Sequence, residues 1–369
     1  MTRAGVAIVL GTRPEMIKLA EIARLLGPQA RVFHTGQHYD ENMSSAVWQA
    51  LGIPEPERVL NVGGLSRAQQ VAAAVADLDE IFTEHPPAAV VVQGDTNATL
   101  AGALAANAHG IPLIHVEAGL RSFDREMPEE HNRVMVDHIA DVLCAPTSVN
   151  RDNLLAESID PRRVVVTGNT VVEAVRAQMP PADETFEILE QVGVRPDGFV
   201  VATVHRPENT DDLGSLATIL SELAKIDVPV VLPLHPRTLT RVKAAGLGGL
   251  LEPLVVIDPL APPQFLALAS CSAAIVSDSG GLQEECSVLK RPLLVVRRST
   301  ERPEVLGTFA QRTLPGPQIS TIVNAWVADL PVLHNRLAAT PSPYGDGTAS
   351  AQIAELARQY TDARDLAAA

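Results

Sequence analysis

The chain has 369 residues, 46% of them hydrophobic, 20% charged and 3% aromatic, with a formal net charge of −15. Single cores stop growing at about 250–300 residues, so this length predicts two domains, and the apolar fraction excludes global disorder. An acidic balance with no Lys/Arg-rich run argues against nucleic acid or an anionic membrane as partner, and so few aromatics argue against base-stacking platforms.

Three cysteines, Cys144, Cys271 and Cys286, are too few and too scattered for a disulfide framework or a zinc cluster. The only apolar run near the start, Val6–Leu10, is too short for a signal peptide. No stretch approaches the ~20 apolar residues of a membrane helix. The expected location is the cytoplasm.

In chain order, Val6–Leu10, Ala88–Gln93, Pro112–Val116 and Val164–Thr167 read as buried strands, followed by Phe199–Val204, Val228–Leu234, Leu254–Ile257, Ala273–Ser277 and Pro292–Val296. Helical periodicity fills the gaps at Glu15–Leu26, Ser66–Glu84, Thr96–Ala108, Leu213–Ile226 and Pro263–Ser270. Strands apolar on both faces that alternate with helices predict parallel sheets covered by helices. The polar stretch Gln178–Gly198 precedes a fresh strand and marks a junction at about residues 170–195. The expected architecture is α/β: two doubly wound Rossmann-like domains with the active site in the interdomain cleft. The boundaries are 1–175 for the first domain, 176–345 for the second, and 346–369 for a C-terminal helix packing back towards the first.

Chemistry-bearing residues gather where strands end. Gly11-Thr12-Arg13-Pro14-Glu15-Met16-Ile17-Lys18 follows the first strand; Pro14 suits the first helical position and Arg13 a positive helix N-terminus, a ready anion site. Gln93-Gly94-Asp95-Thr96 ends another strand, where Asp95 is either a helix N-cap or an acid. Glu117, in His115-Val116-Glu117-Ala118-Gly119-Leu120-Arg121, follows an apolar strand where an idle charge is costly. Glu126, Glu129 and Glu130 surround Pro128 and read either as acid–base groups or as a solvated turn. In the second half, His205-Arg206 ends a strand and His titrates near neutrality. Ser279-Gly280-Gly281 after a strand lets backbone N–H groups approach a phosphate, and Glu285 lies one turn further where ribose hydroxyls could bind. Thr300-Glu301-Arg302-Pro303-Glu304 adds another arginine, while the histidines are too dispersed to argue a metal site.

In the same order, Gly11–Lys18, Gly94-Asp95-Thr96, His115–Arg121, Pro128–Arg133, Thr167-Gly168-Asn169-Thr170, His205-Arg206, Asp278–Glu285, Thr300–Glu304 and Pro343–Gly347 resemble the non-hydrolysing UDP-N-acetylglucosamine 2-epimerases. The resemblance implies the two-domain GT-B fold, a homodimer, no redox cofactor, and interconversion of UDP-N-acetylglucosamine and UDP-N-acetylmannosamine. The implied reaction eliminates UDP to a bound 2-acetamidoglucal and adds it back. It assigns Asp95, Glu117, Glu129 and His205 as catalytic, and Arg13, Lys18, Arg133, Ser279, Gly280, Gly281, Glu285 and Arg302 as substrate-binding. Pro14-Glu15 favours the non-hydrolysing branch. Gln37, His38 and His235 match a second, activating UDP-sugar site, but Tyr39-Asp40, an arginine usual near Gly63-Gly64 that has no clean counterpart, and Arg206-Pro207 depart from it. Arg298 also departs from the pattern, replacing an acidic residue usual before the Thr-Glu-Arg-Pro motif. The alternatives are a GT-B glycosyltransferase, a hydrolysing epimerase and a non-enzymatic UDP-sugar sensor.

Overall fold

The computed structural model describes residues 5–37, 48–49, 51–234 and 236–368. Two compact units emerge, Met1–Ala174 with Tyr344–Ala369, and Val175–Pro343. Among the described residues the first holds a seven-stranded sheet in the order β3-β2-β1-β4-β5-β6-β7, and the second a six-stranded sheet in the order β10-β9-β8-β11-β12-β13. Every strand pair runs parallel.

In the first unit β1 (Val6–Leu10), β4 (Ala89–Gln93) and β5 (Leu113–Val116) are buried along their whole length. Helices must therefore cover both faces. The helix Asn97–Ala108 lies close on the sheet because Gly102 faces it; a Cβ there would stand 2.9 Å from Val92 Cγ1 and 3.0 Å from Val9 Cβ. On the other face Met16, Leu19 and Ile22 of the helix Arg13–Leu26 pack with Val6, Ile8, Ile353, Ala354 and Ala357. The last three belong to the C-terminal helix Ala349–Ala368, so the chain's end completes the first core.

In the second unit β8 (Val200–Thr203), β11 (Ala274–Ser277) and β12 (Leu293–Val296) form the buried centre. Leu216, Ile219, Leu220 and Leu223 of the helix Leu213–Leu223 cover one face with Ile319 and Val323. Leu189, Val231 and Leu268 cover the other with Phe199.

The nine apolar runs are all strands, the remaining three being β7 (Val164–Val166), β9 (Val230–Pro233) and β10 (Val255–Ile257). Structure adds β2 (Ala30–His34), β3 (Arg58–Val59), β6 (Val142–Ala145) and β13 (Ala310–Thr313). β3 and β13 are edge strands with exposed Arg58, Gln311 and Arg312, which removed the apolar signal. The stretch read only as a junction contains the helix Ala182–Val192, anchored by buried Ile188 and Leu189.

Strand order fixes where a ligand can sit. In each sheet the chain reverses direction once, between β1 and β4 in the first unit and between β8 and β11 in the second. Such switch points open a crevice beyond the carboxyl ends of the two strands. The Arg13 and Asp95 turns flank one of them, and the His205 and Asp278 turns flank the other.

Candidate active site

The first unit holds six candidate residues, Arg13, Asp95 and Glu117 just after strands and Lys18, Glu129 and Arg133 on helices. Arg13 is the first residue of its helix and exposed, with Thr12 as N-cap and Pro14 second in the helix rather than first. Lys18, one turn on, does not stand open to an anion: its ammonium pairs with Glu117. The other Glu117 oxygen accepts from Gln93 Nε2 at 2.7 Å. Glu117 itself takes the left-handed conformation, φ 63°, which is uncommon for a non-glycine residue and persists where the surrounding structure over-determines the backbone. The strand end thus presents a 5% exposed carboxylate whose charge is matched by an ammonium and an amide.

Asp95 is not a helix N-cap. That role falls to Thr96, whose hydroxyl accepts from Thr99 N at 3.1 Å. The Asp95 carboxylate instead accepts from Arg133, through Nε at 3.0 Å and through Nη2. Arg133 also donates to Glu130 Oε2 at 2.5 Å. The Pro128 segment is the first turn of the helix Pro128–Ile139, where acidic side chains favour the N-terminus. Its two glutamates have opposite fates. Glu130 is buried and accepts from Ser122 N, Ser122 Oγ and Phe123 N at 2.9–3.0 Å. Glu129 is half-buried and makes no hydrogen bond or ion pair with a described residue.

Sequence reasoning passed over the groups that hold these turns. His115 is fully buried, with Nδ1 2.7 Å from Asp137 Oδ1 and Nε2 2.8 Å from the Gly94 carbonyl, next to Asp95. Burial acts to raise the Asp137 carboxyl, but His115 and Arg121 together hold it below its ordinary range. Asp137 also accepts from Gly119 N at 3.1 Å and so ties down the loop after Glu117.

In the second unit the centre is Asp278, fully buried after β11. Its carboxylate accepts from His205 N, Arg206 N and Asn209 Nδ2 at 2.9–3.1 Å. His205 Nδ1 lies 3.1 Å from Asp278 Oδ1, leaving the other side of the half-exposed ring open. Burial of the ring edge, with Arg206 and Arg297 nearby, pushes His205 below its ordinary near-neutral value, against the pull of Asp278. Ser279 is the N-cap of the helix Gly280–Leu289, and its N–H donates to Ser277 Oγ at 2.9 Å. Space is tight at Gly280: a Cβ would stand 3.0 Å from Glu301 Oε1, 3.1 Å from Arg302 Nη1 and 3.4 Å from Arg206 Nη2. Two guanidinium groups therefore crowd a helix N-terminus, a strongly anion-attracting corner. Arg302 is held by Glu301 and by Glu284 at 2.7 Å. Glu285 is half-buried, with a carboxylate oxygen 3.5 Å from the position a Gly281 Cβ would take.

Of the second-site positions, Gln37 Oε1 accepts from Ala98 N at 3.2 Å. His38 and His235, with Tyr39 and Asp40, lie outside the described residues. Among the described residues no group of three His, Cys, Asp or Glu side chains is placed to hold a metal ion, and no helix is long and apolar enough to cross a membrane.

Known proteins resemble this chain in sequence and fold. The UDP-N-acetylglucosamine 2-epimerase family model matches residues 21–358. A UDP-N-acetylglucosamine 2-epimerase of Methanocaldococcus jannaschii is 37% identical over 362 residues, 95% of this chain and 98% of the relative. A UDP-2,3-diacetamido-2,3-dideoxy-D-glucuronate 2-epimerase of Pseudomonas aeruginosa is 36% identical over 94% of this chain and 97% of its own length. The solved M. jannaschii UDP-GlcNAc 2-epimerase, in complex with UDP-GlcNAc and UDP, matches with a TM-score of 0.82 at 35% identity, covering 95% of this chain and 99% of that one. With matched carboxylates at one set of strand ends, an arginine-lined helix start at the other, and relatives matched over nearly their full length, the chain belongs to the UDP-N-acetylglucosamine 2-epimerase family.

Proposed function

We propose that this protein is a non-hydrolysing epimerase that interconverts UDP-N-acetylglucosamine and UDP-N-acetylmannosamine. The carrying observation is the unequal treatment of three carboxylates: Asp95 is held by Arg133, Glu117 by Lys18 and Gln93, while Glu129 has no described partner. The C2 hydrogen of the sugar is not acidic, so cleavage of the C1–O bond leads and the ring gains oxocarbenium character. Ionised carboxylates stabilise that charge, as in glycoside cleavage. The C1–O electron pair leaves with UDP, a carboxylate takes the C2 proton, and a C1–C2 double bond forms. Re-addition of UDP with protonation on the opposite face completes the inversion. Two faces need two proton-handling groups in separate environments, which a cation-paired acid and an unpaired one provide.

Arg13 in the first unit suits an anion, and in the second unit the Ser279–Gly281 helix start with Arg302 suits a departing diphosphate. His205, oriented through Nδ1 by Asp278, offers Nε2 to the leaving oxygen. Glu285 suits the ribose hydroxyls. The P. aeruginosa relative, whose name gives a diacetamido uronic acid, supports a second reading in which the sugar carries a further acetamido group and a carboxylate.

The test is NMR of purified protein with UDP-N-acetylglucosamine alone in heavy water. The expected product is UDP-N-acetylmannosamine with deuterium at C2 and no net UDP. Free N-acetylmannosamine with UDP would assign a hydrolysing enzyme. No turnover without an acceptor would leave the glycosyltransferase, and turnover only of the diacetamido uronate would select the second reading.

A further inference from the structure

Glu15 is 2% exposed, and its carboxylate accepts hydrogen bonds from two different turns. Oε2 accepts from Gly11 N at 3.0 Å, and from Thr12 N and Thr12 Oγ1, each at 2.8 Å, all in the turn that leads into Arg13. Oε1 faces Thr96 Oγ1 at 2.8 Å and Thr99 Oγ1 at 3.2 Å, in the turn that carries Asp95. An acid three residues after an N-cap ordinarily serves its own helix alone. Here one oxygen serves the helix start after β1 and the other the helix start after β4, across the switch point of the sheet. The second unit has a counterpart with different wiring. Asp278, after β11, accepts from the backbone N–H groups of His205 and Arg206 after β8.

We propose that Glu15 is a positioning residue: its carboxylate fixes the spacing between the Arg13 helix start and the Asp95 turn, so that the anion site and the acid address one substrate. This rests on the roles proposed above for Arg13 and Asp95. Burial raises the Glu15 carboxyl above its ordinary range, against the bonds from Thr96, Gly11 and Thr12. A bare helix cap has no need to sit so deep. Misplacement of reacting groups by about 1 Å costs up to about a hundredfold in rate, so the tie acts on turnover more than on affinity.

The test uses the full chain with UDP-N-acetylglucosamine, with turnover counted per UDP-binding site by calorimetry so that misfolded protein does not register. Glu15→Gln keeps the volume but replaces one acceptor by an NH₂ group. Its kcat per site is expected to fall about tenfold or more with KM within about threefold. Thr96→Asp keeps the N-cap acceptor of the helix Asn97–Ala108 but has no hydroxyl proton to give, and should lose turnover in the same way. Thr96→Ser keeps both and should stay within about twofold of the parent. Equal kcat for Glu15→Gln and the parent, or for Thr96→Asp and Thr96→Ser, overturns the proposal. If Glu15→Gln does not fold, the two Thr96 variants decide alone. A parent chain inactive on the UDP-sugar overturns the functional reading instead, whereas an active parent with indifferent variants overturns only the role of Glu15.

Discussion

His205 and Asp278 sit 73 residues apart in sequence, yet the buried Asp278 carboxylate accepts the His205 backbone N–H and faces the ring Nδ1, both at 3.1 Å. One acid therefore fixes both the place and the tilt of the imidazole. An imidazole oriented through Nδ1 presents Nε2 for proton transfer.

From this follows a split between binding and rate. His205→Ala should lower kcat by about a hundredfold or more while the UDP dissociation constant, measured by calorimetry, changes less than about threefold. Loss of UDP affinity with kcat intact at saturation would make His205 a binding contact only.

The Asp95–Arg133–Glu130 chain gives a stability prediction. Arg133 is 3% exposed at its side chain and neutralises two carboxylates at once. Arg133→Met keeps the bulk but leaves Asp95 without its guanidinium and Glu130 with only its Ser122 and Phe123 donors, and breaking a buried pair in this way costs about 3 kcal/mol. Denaturant unfolding at pH 7 should show that loss, and a loss under about 0.5 kcal/mol would show that Arg133 does not hold these acids in the folded state.

Much of this was legible in the sequence, for identifiable reasons. β1, β4, β8 and β11 are buried on both faces, so they read as unbroken apolar runs, and chemistry placed just after them stands out. β2 escaped notice because Arg31 interrupts it, its guanidinium lying over Phe33 and bonded to Glu57. What the sequence hides is pairing. Lys18 reads as an anion-binding cation until strand order brings it against Glu117, 99 residues away. Glu129 and Glu130 are indistinguishable as letters; one helical position turns the second inward to Arg133 and leaves the first half-exposed. Glu15 carried a readable signal, Thr12-x-x-Glu15 at a helix start, but only the fold shows its second oxygen accepting from Thr96.

His34 predicts how stability depends on pH. The ring is 2% exposed, its Nδ1 accepts from Gly36 N at 3.0 Å, and burial pushes its pKa down to about 4 from 6.5. The unfolded chain therefore binds this proton more readily than the folded one. The neutral-ring contribution is fully present above pH 6.5 and is lost as the pH falls from there towards 4, by at most about 3 kcal/mol. His34→Asn, whose amide oxygen can take the Gly36 N–H, should flatten that part of the unfolding free energy against pH. An unchanged slope would assign the acid sensitivity to His205 and His334, which burial also lowers.

Regulation gives the last prediction. A second UDP-sugar site needs cations for another diphosphate, and the resemblance points to Gln37, His38 and His235 as its remnant. The Gln37 amide oxygen is already engaged by Ala98 N, in the first turn of the helix that follows Asp95. The arginine that follows Gly64, Arg67, is already committed to the Pro128 carbonyl and to Asn132 Oδ1, and Pro207 follows Arg206 where a second arginine is expected. Each missing charge-assisted bond removes about 1.5–3 kcal/mol, or more than about tenfold in affinity. Activation by a second UDP-N-acetylglucosamine should therefore be absent. The rate should rise hyperbolically with UDP-N-acetylglucosamine, with a Hill coefficient near one, and UDP-N-acetylmannosamine alone should react without a lag. Gln37→Ala should weaken the helix start by about 1 kcal/mol and leave the saturation curve hyperbolic. Sigmoidal kinetics, or a reverse reaction that waits for a trace of UDP-N-acetylglucosamine, would mean that the second site is intact despite these departures.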